Sequence, residues 1–488
     1  MSKTRSSAKV PVGNLQVSHF LRGVQLILLG ASMLVAEGCI GIPPAQNVPA
    51  PGVAANDSHF KNDDFQDKPK TELYLRMANE VESNLRLEIL DKWFPVAFDG
   101  GGGSFFQDYN VDWSRGDGGS KGIVYESRLT WTAAEAAVRF PAKAEMYLVQ
   151  SRHGLAFLAE KMWDRQRGGF FWAVDDSGNP AGADGAEKVA YGNAFGIFAA
   201  ATNYKVTRDP VALDLAERAF RWYDQHGHDQ KNGGYLETAP DGSKSAAELI
   251  APGVNPVGVR TDEKSMNTSI HLLEALTALY EVWPDPTVKA RLNEMFEIVR
   301  DRIYAEPGYL IQFFSANWQP RQSGDSYGHD VETAYLLTEA AAALGIPRDA
   351  RTWTEARRLV DHALQYGLNS EHGGLYNSGG IAGGDYVAQR EWWVQAEWLN
   401  ALLLMHERYG RETPQYWDAF VRQWNWINQY EIDKIHGGWY PRLYNDNRPV
   451  PFPKSNAWTD CYHQARAMLN VSARLRKLAA AGFPSDAK

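Results

Sequence analysis

Three histidines lie in short motifs whose neighbouring residues could support proton transfer. In Lys264-Ser265-Met266-Asn267-Thr268-Ser269-Ile270-His271-Leu272-Leu273-Glu274, Asn267 precedes His271 by four residues and Glu274 follows it by three, so a helix puts all of them on one face. Gly328-His329-Asp330-Val331-Glu332 repeats the His-x-x-Glu spacing, and Trp392-Trp393-Val394-Gln395-Ala396-Glu397 sets Trp393 and Glu397 four apart. Trp458-Thr459-Asp460-Cys461-Tyr462-His463 carries the third histidine. Arg128 sits in Glu126-Ser127-Arg128-Leu129-Thr130-Trp131, and Tyr191 opens Tyr191-Gly192-Asn193-Ala194-Phe195. Imidazole titrates near neutral pH, and a carboxylate one helical turn away orients it and raises its basicity. The same pair could ligate a metal, but there is no His-x-x-x-His and no cysteine pair, so no metal or other cofactor is expected. A single histidine near a helix start could be a cap or a satisfied polar residue. Three of them at comparable points of three segments argue for one shared site.

The elements that must position these residues are marked by glycine turns. Gly102-Gly103-Ser104-Phe105, Gly168-Gly169-Phe170, Gly233-Gly234-Tyr235, Pro307-Gly308-Tyr309, Gly373-Gly374-Leu375 and Gly437-Gly438-Trp439 recur at steps of 66, 65, 74, 66 and 64 residues. A fixed period of this size means one supersecondary unit repeated. Asp164, Asp229 and Asp433 open three of the turns and Asn369 a fourth, where a short polar side chain can bond the turn backbone. Between turns the apolar spacing is helical over Pro210 to His226, Thr268 to Val282, Val331 to Leu344, Gln395 to Tyr409 and Asp460 to Leu478. Two helices of about 15 residues fit each step. The expected fold is therefore all-α, an (α/α)6 barrel of six helical hairpins, with short β-hairpins after the turns at one face. An open solenoid is the alternative, but its repeats are usually shorter and more uniform. In a closed ring Arg128, Tyr191, His271, His329, Trp393 and His463 fall one to a repeat, so their helix starts converge.

At 488 residues, length alone suggests more than one domain, and the repeat argues for a single large one over residues 71–480. The net charge of −9 disfavours nucleic acid as a partner. The 17 tryptophans are numerous, and flat indole faces suit sugars as well as a core. Lys3, Arg5, Lys9 and Arg22 precede the apolar run Val24 to Ala36, which ends at Glu37-Gly38-Cys39. This is a secretory pattern over residues 1–38, with Cys39 as a candidate lipid attachment site, and residues 39–70 read as a flexible linker. The expected location is periplasmic or membrane-anchored through Cys39, as a monomer or homodimer. Cys461 is the only other cysteine, expected buried and unpaired.

The motifs Lys264-Ser265-Met266-Asn267…His271-Leu272-Leu273-Glu274-Ala275, Gly328-His329-Asp330-Val331-Glu332, Trp392-Trp393…Gln395-Ala396-Glu397 and Trp458…Tyr462-His463 occur in the order of a known family. The chain resembles the N-acylglucosamine 2-epimerase superfamily from about residue 75 to 475, on the branch of the cellobiose 2-epimerases. The resemblance implies cofactor-free inversion at C2 of a reducing-end aldose, a mono- or disaccharide. It also implies roles. His329 and His463 would be the proton-transfer pair, and His271, with Asn267 nearby, would assist ring opening. Arg128 and Tyr191 would contact C1–C2. Glu332 and Glu397 would orient the histidines or bind hydroxyls, and Trp393 and Trp458 would stack on the sugar.

Elementary chemistry agrees with those roles. A C2 proton beside an aldehyde is weakly acidic, so the enediolate must be stabilised as it forms, and a fixed guanidinium does so. Inversion needs a base on one face and an acid on the other, roles an imidazole can exchange. Reprotonation at C1 instead gives a ketose, so an aldose–ketose isomerase (mannose isomerase-like) and an N-acylglucosamine 2-epimerase are close alternatives. A glycoside hydrolase using two carboxylates, and a noncatalytic sugar-binding lipoprotein, are alternatives of other classes. The chain departs from the family at Ser269, Tyr335, Val394 and Thr459-Asp460-Cys461, positions that would shape the sugar subsites.

Overall fold

The structure, a computed structural model, describes residues 70–98, 103–240, 253–321 and 323–481. The expected signal segment, Cys39 and nearly all of the linker lie outside the described residues. In chain order the helices are α1 (Lys70–Asn84), α2 (Asp91–Ala97), α3 (Ile123–Arg139), α4 (Ala144–Phe157), α5 (Ala190–Thr207), α6 (Pro210–Gly227) and α7 (Met266–Val282). They continue as α8 (Pro286–Ile298), α9 (Tyr327–Ala343), α10 (Ala350–His362), α11 (Trp392–Tyr409), α12 (Gln415–Trp426) and α13 (Tyr462–Ala481). Helices α3, α5, α7, α9, α11 and α13 pack side by side, and α13 returns to α3, which closes the ring. Helices α4, α6, α8, α10 and α12 each back the inner helix before them, and α1 backs α13. The fold is an (α/α)6 barrel.

Sequence decides which helix goes where. In α11 every residue from Trp392 to Glu407 is buried, which suits a helix with neighbours all round. Outer α6 buries one stripe, Ala212, Leu215, Ala216, Ala219, Phe220 and Tyr223. Two outer helices start with an Asp cap and Pro, Asp209-Pro210 and Asp285-Pro286, the cap accepting from the first free backbone N–H groups. The observed starts of α7, α9 and α11 lie two to four residues before the expected helical stretches.

Four of the glycine turns, those led by Asp164, Asp229, Asn369 and Asp433, share one construction. Gly168 and Gly169 have φ of 78° and 73°, and Gly373 and Gly374 73° and 77°, a left-handed conformation that costs glycine least. Asp164 Oδ1 accepts from the amides of Gln166 and Arg167, and Asp433 and Asn369 do the same in their turns. A buried lysine from further along reaches back to three of these carboxylates: Lys188 to Asp164 at 3.1 Å, Lys264 to Asp229 at 2.8 Å and Lys454 to Asp433 at 2.8 Å. An indole covers four of the turns and donates to a turn carbonyl: Trp222 to Arg167, Trp318 to Asn232 and Gly233, Trp426 to His372, and Trp113 to Gly437. These four tryptophans are therefore structural.

A polar residue early in the inner helix then hooks the first amide after the turn. Glu126 takes Phe105 N at 3.0 Å, Asn193 takes Phe170 N at 2.9 Å, Asp330 takes Leu310 N at 3.0 Å and Gln395 takes Leu375 N at 2.9 Å. This bond fixes the distance from turn to inner helix, and it explains the even spacing seen in the sequence. The expected hairpins form in part. Single bridges close the turns, as at Trp163–Phe170 and Leu368–Leu375. Beyond them the strands pair across repeats instead: β1 (Lys121–Gly122) with β2 (Ala173–Val174), β3 (Glu263–Ser265) with β6 (Phe313–Ser315), and β7 (Gln389–Glu391) with β8 (Arg442–Tyr444). Only β4 (Tyr304–Ala305) and β5 (Tyr309–Leu310) make a local hairpin among the described strands. The cross-repeat pairs tie the entrance of one inner helix to the next turn.

Candidate active site

The six inner helices each bring one sequence-predicted residue to the same end of the barrel, within their first two turns. Arg128 Nη2 donates to the Tyr191 hydroxyl at 3.1 Å, and the Tyr191 ring meets the His271 ring edge-on at 5.1 Å. On the other side the Trp393 indole lies 4.9 Å from the His329 ring and 5.3 Å from the His463 ring. Trp458 is half-buried beside Tyr191 at 6.2 Å and Trp172 at 5.8 Å. Asn267 is half-buried at the start of α7, with no protein partner for its Oδ1.

Each histidine has one ring nitrogen committed. His271 Nδ1 faces Glu274 Oε2 at 3.0 Å, His463 Nδ1 faces Glu397 Oε1 at 2.9 Å, and His329 Nδ1 faces the Ser326 hydroxyl at 2.6 Å. Against a carboxylate, Nδ1 is the donor, so Nε2 is the nitrogen of His271 and His463 left for chemistry. Glu332 does not hold His329, as the His-x-x-Glu spacing suggested. Its Oε1 lies 3.7 Å from His463 Nδ1 instead, because Ser326 precedes the helix on the side His329 faces.

Two residues that the motif reading did not use organise the site. Arg466, one turn beyond His463 on α13, donates through Nη1 to Glu274 and through Nη2 to Glu332 and, at 2.7 Å, to Glu397. One guanidinium thus joins the carboxylates of three inner helices. Asp460 is fully buried, holds Arg128 Nη1 at 3.0 Å and accepts from Tyr462 N at 2.8 Å. Its presence gives the departure at Thr459-Asp460-Cys461 a physical meaning, since it pins the candidate electrostatic residue. The arginine three residues after His463 was a visible signal, the mirror of His-x-x-Glu. Asp460's partner could not be seen from sequence.

Burial sets the protonation states. It pulls the His329 imidazole down to about 4, and takes His463 well below its ordinary value with help from the Arg128 charge. It raises the Glu397 carboxyl against the opposing pull of Arg466. His463 is therefore a neutral imidazole whose Nδ1–H donates to Glu397 across their 2.9 Å contact. Although its burial opposes ionisation, Arg466 leads the nearby groups that hold Glu274 down at about 2. Burial lifts the Tyr191 hydroxyl to about 12 while Arg128 opposes it. Arg128 Nε, Glu332 Oε2, Glu397 Oε2 and Arg466 Nε are buried without a protein partner. Buried polar atoms in folded proteins are rarely left so, and here they cluster at one site. The arrangement offers neutral imidazoles, a fixed guanidinium and flanking indoles.

Comparison with known proteins places this geometry in a family. The family model for N-acylglucosamine 2-epimerase (GlcNAc 2-epimerase) matches residues 104–467. Cellobiose 2-epimerase of Bacteroides fragilis is 28% identical over 406 residues, 81% of this chain and 98% of that protein. D-mannose isomerase of Thermobifida fusca is 26% identical over 342 residues, 64% of this chain and 76% of its own length. The solved cellobiose 2-epimerase of Bacillus thermoamylovorans superposes with a TM-score of 0.73 at 27% identity, over 82% of this chain and 99% of that one. The chain belongs to the N-acylglucosamine 2-epimerase family, and it is an isomerase of the carbohydrate epimerase class.

Proposed function

We propose that the enzyme inverts C2 of a reducing-end aldose, a cellobiose-type disaccharide or a related sugar, without a cofactor. The observation that carries this reading is the pair His329 and His463, on inner helices separated by α11, whose Trp393 contacts both rings. Two imidazoles on different helices can serve the two faces of one carbon, with the indole as the surface on which the sugar rests. His271, steadied by Glu274, assists ring opening to the aldehyde. One imidazole removes the C2 proton, leaving a cis-enediolate. Arg128, fixed by Asp460 and Tyr191, stabilises the negative oxygen, and the other imidazole returns a proton from the opposite face. No atom is gained or lost.

The D-mannose isomerase relative supports a second reading, in which the same enediolate is reprotonated at C1 to give a ketose. NMR of cellobiose, lactose, mannose and N-acetylglucosamine with the enzyme in D2O separates the two. Deuterium at C2 with a new C2 epimer supports epimerisation, and deuterium at C1 with a ketose supports isomerisation. Exchange at neither carbon in any of these sugars ends both readings. We also propose that the protein is exported and attached to a membrane through lipid on Cys39, which the charged segment, apolar run and Gly38-Cys39 support.

A further inference from the structure

Behind the site, where α9 begins, lies a second cluster of titratable groups that the reaction does not use. Asp325 is fully buried, and neither of its carboxylate oxygens meets an N–H or hydroxyl donor. Asp330 is fully buried too. Its Oδ1 takes the Leu310 amide at 3.0 Å, while Oδ2 has no partner. His362, at the end of α10 and 4% exposed, completes the group. One ligand atom from each residue lies within 4.8 Å of the other two.

The imidazole orientation is informative. His362 Nε2 lies 2.7 Å from the Ile381 carbonyl, which can only accept, so Nε2 carries a proton. Nδ1 therefore points at Asp325 Oδ2, 3.2 Å away, without the alignment of a hydrogen bond. A histidine that gives its far N–H to a carbonyl and turns its near nitrogen on carboxylates has the arrangement of a metal ligand. The alternative is protonation, and burial together with Asp325 does raise the Asp330 carboxyl. One proton between Asp330 and Asp325 would serve the two carboxyls and leave none on Nδ1. It would still leave the Nδ1–Oδ2 contact misaligned. One divalent cation satisfies Asp325, Asp330 and His362 at once.

We propose that Asp325, Asp330 and His362 form a structural site for a divalent cation of the zinc class. Imidazole and carboxylate donors suit zinc, with manganese the nearest competitor. The site pins the entrance of α9, since Asp325 adjoins Ser326 and Asp330 adjoins His329. It also ties α9 to α10 and, through Ile381, to the loop after the Gly374 turn. It is distinct from the proton-transfer site and independent of which sugar is bound.

The test uses the full-length protein, stripped with chelator and titrated with Zn2+ alone. Bound metal is measured by mass spectrometry and the melting temperature by calorimetry. About one equivalent bound, with a melting temperature that rises with Zn2+, is expected. Asp325→Asn and His362→Gln should lose that equivalent, and His463→Gln should keep it. The last variant matters because Glu332, Glu397 and His463 also lie close enough to hold an ion. No binding by the unaltered protein overturns the proposal. So does an equivalent that is lost in His463→Gln but kept in Asp325→Asn and His362→Gln. Where Asp325→Asn or His362→Gln fails to fold, absence of binding by the wild-type protein still overturns the proposal.

Discussion

Arg466 shows how one side chain can matter more than the residues it serves. It is 3% exposed and holds Glu274, Glu332 and Glu397, two of which orient His271 and His463. Replacing it with Met leaves three buried carboxylates facing one another, and breaking such a pair costs about 3–5 kcal/mol. Arg466→Met should lose that much stability in denaturant unfolding, and a loss under about 1 kcal/mol would contradict the network. Asp460→Asn is milder. It keeps the shape but leaves the buried Arg128 charge unpaired, so the turnover of C2 exchange and the melting temperature should both fall. Unchanged turnover would show that Arg128 needs no anchor. The histidines give a pH signature. The folded His329 titrates near 4, as does His406, against an ordinary 6.5, so between those values the unfolded chain binds protons that the folded one refuses. Stability contributed by these neutral imidazoles is complete above about pH 6.5 and declines as pH falls toward 4. Unfolding at stepped pH should show this decline, and a flat profile over that window would contradict the burial argument. Arg466 stood at helical spacing from His463, but its carboxylate partners, like those of Asp460 and the Asp325 cluster, could not be identified from sequence. Arg128 and Asp460 are 332 positions apart, and Arg466 and Glu274 are 192 apart. Local spacing reports only neighbours on one helix, which is why His271–Glu274 was legible and the Ser326–His329 contact was not.

At the scale of elements, the turn-and-helix unit was legible because two local signals coincide. Glycine pairs mark left-handed backbone, and apolar periodicity marks the helices between them. The hook from inner helix to turn was less visible, since Glu126, Asn193, Asp330 and Gln395 are four polar residues of two chemical types, carboxylate and carboxamide, doing one job. Strand pairing between repeats was misread as local hairpins, because short apolar runs carry no register information. The turn chemistry makes its own prediction. Lys454 is 1% exposed and neutralises Asp433, which also organises the last glycine turn. Lys454→Met strands that carboxylate, so it should cost about 3 kcal/mol. The double variant Lys454→Met with Asp433→Asn should recover part of the loss. Equal losses in the single and double variants would mean that the ion pair is not the cause. Gly374→Ala should also destabilise, since its φ of 77° strains alanine and the new Cβ would meet Trp426 at 2.9 Å.

For the whole molecule, closure of the ring is what turns six separate helix starts into one site. An open solenoid would spread Arg128 and His463 to opposite ends, whereas Asp460, two residues before the last inner helix, holds Arg128 at 3.0 Å. The predicted site residues all lie within the barrel domain, and the role proposed for the segment before it is location. The apolar run Val24 to Ala36 is shorter than the roughly 20 residues a membrane span needs, so stable attachment requires something more. Acyl chains on Cys39 would supply it, because each buried methylene contributes about 0.8 kcal/mol and two or more chains give lasting anchorage. Expressed in a bacterium, the full chain should partition with membranes and take up labelled palmitate. Cys39→Ser should lose the label and the lipid anchor while keeping wild-type C2 exchange, since no barrel residue is altered. Absence of label from the unaltered protein would overturn lipidation. Membrane association that persists in Cys39→Ser would instead assign the anchor to the uncleaved apolar run. Loss of exchange in a folded Cys39→Ser protein would show that the leading segment does more than set location.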